Sequence, residues 1–515
     1  MKNKKTFYIT TPIYYASGPL HIGHLYCTIM AWVIANYKKS QGYDTKFLTG
    51  SDEHGQKIEN KAAKLNKNPK EFVDELVASY KEMWKKWDID FDYFSRTTNL
   101  NHEEAVKKIF SWFLKNGFIY KDKYEGLYSV EDEEFLAKNN AILKEDGNYY
   151  HPSSGHKLIT MSEESYFFKI SKMQQWWENF VAKHPDFLLP KNIVTEMQNN
   201  FVSQGLSDLS VTRTNVNWAI PINEESNHTL YVWLDALFNY VTALGFDLDN
   251  EGNDYLKYWK NGDEIVHILG KEIARFHFIY WPMFLEALNL KQPTHIISHG
   301  LLRDKDGRKM SKSLNNVIEP QYLLDKYHNE MVKYYFASQV AFGDDSNFGE
   351  AKFIEIINTE LVNNFGNLVS RTLKMLHNSF PNGLVYRDSA SSIHQNIVNE
   401  ILNFDQEYSA LMDQFKIDKG LKLAIELSNK LNKYIDETTP WKLTDNLVEL
   451  ELILSRLLNG IYTIAYALQI ALPQKMNELA KALNIQSFTK EELNNLHKFD
   501  NLKPEEKFIL FARIK

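Results

Sequence analysis

An apolar stretch at residues 6–11, a polar loop, a helical run over 21–38 and a second apolar stretch at 45–50 open the chain. Strand, loop, helix, strand in that order begins a parallel α/β sheet, because parallel neighbours need a crossover and a helix supplies it. This choice also fixes where chemistry can sit, since ligands of such sheets lie beyond the carboxyl ends of the strands. Two polar strings fall at those ends, His21-Ile22-Gly23-His24 and Gly50-Ser51-Asp52-Glu53-His54-Gly55.

His21 and His24 stand where a helix begins, and there the backbone N–H groups and the helix dipole favour an anion. Their imidazoles can donate to phosphate oxygens, and Gly23 leaves room for a flat ring such as adenine to approach the backbone. About 285 residues further on, Gly307-Arg308-Lys309-Met310-Ser311-Lys312-Ser313 sets two ammonium groups on a small, hydroxyl-rich loop that can close over a nucleotide. A lysine-rich loop alone is ordinarily a solvated face, and a histidine pair alone is ordinarily a surface pair. Both strings in this order point to an enzyme that activates a substrate with a nucleotide. The Gly50–Gly55 string is no phosphate loop, because Gln56 stands where that motif needs lysine. It is read instead as placing Asp52 at a strand end to hold a substrate ammonium group, with a helix N-cap as the plainer alternative.

Further along, the pattern divides the chain. Residues 1–115 read as the first half of a Rossmann-type catalytic domain. Residues 116–225, β-rich and acidic with turns at 145–148 and 152–155, read as an inserted connective domain. Residues 226–300 resume the α/β pattern, with a helix over 230–245, a strand over 264–269, a helix over 273–288 and a strand over 296–298. Residues 301–349 carry the lysine loop, and 350–515 read as an all-α helical bundle, with apolar residues from Ile354 to Met375 at helical spacing and a long helix over 447–472 stopped by Pro473.

Composition narrows the class. The net charge of −7 gives no global signature of nucleic acid, so RNA would need a local patch. Cys27 is the only cysteine, which excludes an intramolecular disulfide and a thiolate metal cluster and suits a reducing cytoplasm. The start lacks the apolar core of a signal peptide. The longest apolar stretch, 450–472, contains Glu451, Arg456, Asn459 and Gln469, too polar for a bilayer span.

Trp233, Tyr240, His277 and Trp281, with Tyr15, form a set of rings near strand ends; such rings suit a flexible thioether, and core packing is the plainer reading. Asn367 and Arg371 share one helical face, and Trp441 follows Pro440 at a helix start. Arginine, asparagine and an exposed ring are what unstacked RNA bases require.

At this point the chain resembles a known family, the bacterial-type methionyl-tRNA synthetases of class I. The resemblance runs through 11–24, 50–55, 232–236, 270–282, 299–315, 363–372 and 440–443. It implies that His21, His24, Lys309 and Lys312 carry catalysis, and that these with Gly23, Glu272, His299 and Gly300 bind ATP. It implies a methionine pocket of Ile13, Tyr15, Asp52, Trp233, Ala236, Tyr240, Ile273, His277 and Trp281. It assigns Asn367, Arg371 and Trp441 to the anticodon of initiator and elongator tRNA(Met), and Mg2+ to the triphosphate. The cysteines of a zinc knuckle, frequent in relatives, are replaced by Tyr128-Ser129-Val130-Glu131-Asp132-Glu133 and His151-Pro152-Ser153-Ser154, so no metal and no structural zinc is expected. Glu272 stands where relatives often have aspartate. The chain stops at Arg513-Ile514-Lys515, before the dimerising domain of longer relatives, so a monomer without membrane attachment is expected. Synthetases for leucine, isoleucine or valine carry a longer insertion. The alternative from another class is a catalytically silent, synthetase-like tRNA-binding paralogue.

Overall fold

The computed structural model describes residues 4–129, 134–136, 138, 141–152, 154–310, 314, 316–503 and 508–515. Lys312, Ser311 and Ser313 lie outside them, as do Ser153 and residues 130–133 of the stretch compared with the zinc knuckle. The chain forms two compact units, one of Met1–Ala35 with Tyr43–Leu301, the other of Asn36–Gly42 with Leu302–Lys515.

The first unit is built on six strands: β1 (Thr6–Tyr15), β2 (Asp44–Asp52), β3 (Tyr93–Arg96), β4 (Leu188–Leu189), β5 (Glu264–Gly270) and β6 (His295–His299). Their order across the sheet is β3-β2-β1-β5-β6-β4, and every pairing is parallel. Burial on both faces explains why β1, β5 and β6 read as continuous apolar runs rather than alternating ones. Helix α1 (Ile22–Ser40) follows β1 and is buried almost all round, which accounts for its weak amphipathic pattern. The register of β1 against β2 shifts between Thr10 and Ile13, where Pro12 offers no N–H to the ladder.

The insertion contributes a four-stranded antiparallel sheet, in the order Leu209–Ser210, Ile159–Phe168, Ile119–Ser129 and Glu134–Leu136. An aromatic core lies beneath the functional helices: Phe113 and Phe284 each meet Phe168 edge-on, with centroids 5.0 and 4.9 Å away, and the Trp177 indole donates to Phe278 O at 2.6 Å.

Three expected helices differ. The run over 230–245 begins with a strand residue and then splits into α2 (Val232–Leu237) and a helix at Asn239–Thr242. Asn239 gives its side-chain amide to Ala236 O at 2.6 Å, an insertion that bends the ladder. The run over 273–288 is a 3-10 turn at Lys271–Ile273, a π turn at Phe276–Tyr280 and a short α-helix at Trp281–Ala287. The wide turn sits under His277, as π turns often do beneath functional side chains.

In the second unit, the helix of 447–472 ends at Leu468, and Pro473 does not stop it but starts a new helix, Pro473–Ala482. Proline is well suited to a first helical position, where its missing N–H costs nothing. The amides of that first turn, Gln474 N and Lys475 N, donate to the buried Glu330 carboxylate at 2.7 and 2.9 Å. The long helices Ser392–Asp413, Ile417–Thr438 and Leu447–Leu468 pack on one another, and Arg456 on the last is buried, its guanidinium donating to Leu452 O and Arg387 O at 2.7 and 3.1 Å. Among the described residues, no helix is long and apolar enough to cross a membrane.

Candidate active site

Tyr15, Asp52, Arg96, Gly270 and His299 close the carboxyl ends of β1, β2, β3, β5 and β6. Register places Tyr15 beside Asp52, Ser51 beside Arg96, and Gly270 beside His299. A Cβ on Gly50 would press on Ser95 O and come within 2.7 Å of the Ile13 methyl, so only glycine lets these strand ends converge. A Cβ on Gly270 would meet the Glu272 carboxylate and come within 3.3 Å of the His299 ring.

The two histidines at the start of α1 stack, with centroids 3.8 Å apart and planes 25° off parallel. His21 N donates to His24 Nδ1 and Gly23 N donates to His21 Nδ1, each at 3.1 Å. With Nδ1 accepting in both rings, a neutral ring carries its proton on Nε2. Burial, and then the neighbouring His21, hold His24 well below the ordinary imidazole range, so it stays neutral. The site thus presents Nε2–H donors at a helix N-terminus. A Cβ on Gly23 would lie 3.0 Å from the His21 ring, so a larger residue would displace it.

Asp52 is buried and ends β2. It caps no helix: the next one, Gln56–Lys64, has Gly55 at its N-cap and no side-chain cap bond. The carboxylate is near enough to the Tyr240 phenol to help raise its pKa, behind burial and Cys27. Tyr240 O–H donates to His277 Nε2 at 2.8 Å, and His277 Nδ1–H donates to Ile273 O at 3.1 Å. Burial lowers His277 to about 4, against the Ile273 hydrogen bond, so it is neutral in this chain of bonds. Trp233 stacks on Phe276 at 3.8 Å with planes 4° apart and sits edge-on to His277 at 6.0 Å. Trp233, Ile13, Tyr15 and Ile273 are half-buried, and Ala236, Tyr240 and His277 are buried. Trp281 is wholly buried; its indole gives its N–H to His267 Nε2 at 3.3 Å, and His267 in turn meets Thr10 Oγ1 at 2.8 Å. Trp281 therefore backs Tyr240, 5.9 Å between centroids.

His299 Nδ1–H donates to Gly300 O at 2.8 Å, which leaves the buried Nε2 with a lone pair to offer and no partner among the described residues. Burial lowers its pKa, ahead of opposing contributions from Gly300 and Glu272.

The lysine string belongs to the second unit, where Lys309 is exposed. Asp304, which the sequence reading passed over, anchors this loop. Its carboxylate accepts Asp306 N and Arg308 N at 3.0 and 2.9 Å, and the side chains of Arg308 and Asn316, each at 2.9 Å. The Asn316 bond, then those from Arg308 and Asp306, hold Asp304 well below the usual carboxylate range. The Asp306-Gly307 turn, with Gly307 at φ +77°, was the local signal for it.

Also in the second unit, Arg371 lies on the helix Asn367–Ser379, whose first residue, Asn367, is exposed. The Arg371 guanidinium is 5.6 Å from the Trp441 ring and 3.7 Å from Asp436. Trp441 is 49 % exposed, a large ring left in water.

One His/carboxylate group among the described residues has metal-like spacing: Glu164, Glu225 and His228, in the insertion. The Lys121 ammonium sits 2.8 and 2.6 Å from the two carboxylates and already supplies the counter-charge.

Comparisons with known proteins point to one family. A family model described as tRNA synthetases class I (M) matches residues 7–145 and 148–373. A methionine–tRNA ligase of Mycoplasmopsis pulmonis is 48 % identical, over 99 % of this chain and 100 % of its own length. One of Ureaplasma parvum is 42 % identical, over 100 % and 99 %. Among solved structures, Mycobacterium tuberculosis methionyl-tRNA synthetase in complex with methionyl-adenylate superposes with a TM-score of 0.92 at 29 % identity, covering 99 % of this chain and 100 % of that one.

Proposed function

The chain belongs to the methionine–tRNA ligase family of the class I tRNA synthetases, and from that premise we propose which residues carry its reaction. Methionine and ATP are the substrates of the first step. A methionine carboxylate oxygen bonds to the α-phosphorus, the bond to the β-phosphate oxygen breaks, and its electron pair leaves with pyrophosphate. The ribose hydroxyl at the 3′ end of tRNA(Met), initiator or elongator, then attacks the adenylate carbonyl and releases AMP. The protein contributes position and charge rather than a covalent nucleophile.

The observation that carries this reading is the stacked imidazole pair, His21 and the neutral His24, each accepting a backbone N–H at Nδ1 so that Nε2–H is the ring's donor. These donors would meet the phosphate oxygens as charge builds, and Gly23 would admit the adenine. Glu272 would accept from the ribose; His299, through its Nε2 lone pair, and Gly300 would contact the base. Lys309 and Lys312 are assigned from their string to the charge on the departing pyrophosphate. Asp52 would hold the methionine ammonium. Trp233, Ala236, Tyr240, Ile273, His277, Ile13 and Tyr15 would enclose the thioether, with Trp281 behind them. One methylene in such a pocket discriminates by only about 1–3 kcal/mol, so rejection of leucine needs several walls together. Mg2+ would ride on the triphosphate, held by phosphate oxygens and water as this hard cation prefers. The imidazoles of His21 and His24 are poor ligands for it, and no step depends on their holding it.

In this reading 1–115 and 226–300 form the catalytic domain, 116–225 the connective insertion, 301–349 the lysine loop and stem-contact region, and 350–515 the anticodon-binding domain. The absence of knuckle cysteines supports a protein without structural zinc. A cytoplasmic monomer is the natural form, and sedimentation at twice the chain mass would overturn the second half of that statement.

ATP–pyrophosphate exchange with each standard amino acid tests the activity. Exchange with methionine is expected. A protein that binds tRNA(Met) without exchange would instead be the silent paralogue. Trp441→Ala should weaken charging through the KM for tRNA by roughly fivefold to a hundredfold, since one base–ring stack is worth about 1–3 kcal/mol. Methionine-dependent exchange should be unaltered, and equal loss in both steps would remove Trp441 from the anticodon site.

A further inference from the structure

Asp235 lies on α2, the helix that also carries Trp233 and Ala236, and it is 1 % exposed. Two histidines from distant parts of the first unit hold its carboxylate. His54 Nδ1–H donates to Oδ2 and His102 Nε2–H donates to Oδ1, both at 2.7 Å. His54 is two residues past Asp52, and His102 is in the first turn of the helix Leu100–Lys115. Both rings are buried, at 3 and 4 % exposure. Behind them, His102 Nδ1 meets Thr242 Oγ1 at 2.7 Å, on the helix that carries Tyr240. Glu103 Oε1 is 3.7 Å from His54 Nε2, and the Trp218 ring lies 5.6 Å from the His54 ring.

A carboxylate buried between two imidazoles is an expensive way to gain stability, because apolar side chains of similar volume often do as well or better. What such a cluster supplies is a fixed geometry. We propose that the His54–Asp235–His102 cluster is a positioning device for amino-acid selection: it locks α2, and with it Trp233 and Ala236, at a set distance from Asp52. The ammonium contact and the side-chain walls are thereby measured against each other, and the pocket acquires a length as well as an apolar surface. The proposal rests on the assignment of Asp52 and Trp233 as methionine contacts. No group of the cluster touches the reacting atoms.

The charges suit a lock that holds across the working pH range. Burial works against the charged form of His54, but the Asp235 carboxylate and its hydrogen bond, with Glu103 behind, outweigh it and raise the ring to about 10. Burial would raise Asp235, but His54 and His102 hold it below the ordinary carboxylate value. The facing titratable groups are thus Glu103, His102 and Asp235 itself. Since the folded pKa of His54 is raised, its contribution is fully present below about 6.5 and is lost as pH rises through about 10.

The test uses the full chain in methionine-dependent pyrophosphate exchange, with KM for methionine, KM for ATP, kcat and the methionine-to-leucine ratio of kcat/KM measured separately. The variants are Asp235→Asn, His102→Leu and His102→Gln. Asp235→Asn and His102→Leu should raise the methionine KM by roughly ten- to a hundredfold and shrink the selectivity ratio similarly, as sub-ångström misplacement does. The ATP KM should stay within about twofold. His102→Gln, whose amide nitrogen can replace the ring donor, should restore the methionine KM to within roughly threefold of wild type. A kcat that falls with the folded fraction by circular dichroism, at unchanged methionine KM, would overturn the proposal. So would glutamine no better than leucine, or failure of both His102 variants to fold. Should Asp235→Asn not fold, the His102 pair decides. A wild-type chain without methionine-dependent exchange would overturn the functional reading itself, a result recognisable before any variant is made.

Discussion

Alanine at His21 should slow methionine-dependent pyrophosphate exchange by roughly a hundredfold or more, the effect of losing one transition-state donor worth about 2.7–4 kcal/mol. The ring is exposed, so little folding stability is at stake. It is nonetheless ordered: it accepts Gly23 N at 3.1 Å and stacks on His24 at 3.8 Å. Alanine removes the Nε2–H donor and the stacking partner together, while the backbone amide of residue 21 can still reach His24 Nδ1. His24 would remain neutral, because burial is the larger cause of its low pKa and the neighbouring His21 the smaller. The loss should appear in kcat, with the methionine KM near wild type, because the methionine pocket is built from other elements. Exchange near the wild-type rate, or a loss confined to the methionine KM, would take His21 out of the phosphate site.

What could be read in advance follows from the range over which each signal acts. The strands of the parallel sheet are continuous apolar runs, and the strings His21–His24 and Gly50–Gly55 lie beside them, so their positions at strand ends follow from local pattern. The split at Phe238 does not, because it depends on Asn239 turning its amide onto Ala236 O, a rotamer rather than a residue type. Pro473 was misread for a similar reason. Proline ends one helix or begins the next with the same ring, and what decides here is Glu330, 143 positions earlier, supplying the cap. The family resemblance implied Trp281 as part of the methionine pocket, while core packing was the plainer reading of the ring itself; in the fold its N–H is committed to His267 and its surface is wholly covered. The Asp235 cluster left no local trace at all. Its members stand 181 and 133 positions apart, and nothing in the neighbourhood of His102 distinguishes it from a helix-surface histidine. Asp304 is intermediate: the turn that follows it is legible, but its bond to Asn316 needs the folded loop.

Asparagine at Asp52 should raise the KM for methionine by roughly thirtyfold to several thousandfold, the range that corresponds to about 2–5 kcal/mol for truncating one partner of a buried, hydrogen-bonded charge pair. The substitution keeps size and hydrogen-bonding capacity and removes only the charge. Asp52 is 8 % exposed, so bulk water would not restore what the ammonium loses. The backbone should hold, since Asp52 O still accepts Ala16 N at 2.7 Å and Tyr15 stays in register beside it. A charge effect can be told from a shape effect with the methionine analogue that lacks the amino group. It has no ammonium to lose, so its inhibition constant should be nearly the same against wild type and Asp52→Asn, and it should bind wild type about as weakly as methionine binds the variant. If the variant instead weakens both ligands in equal measure, the residue shapes the pocket wall and the ammonium is held elsewhere.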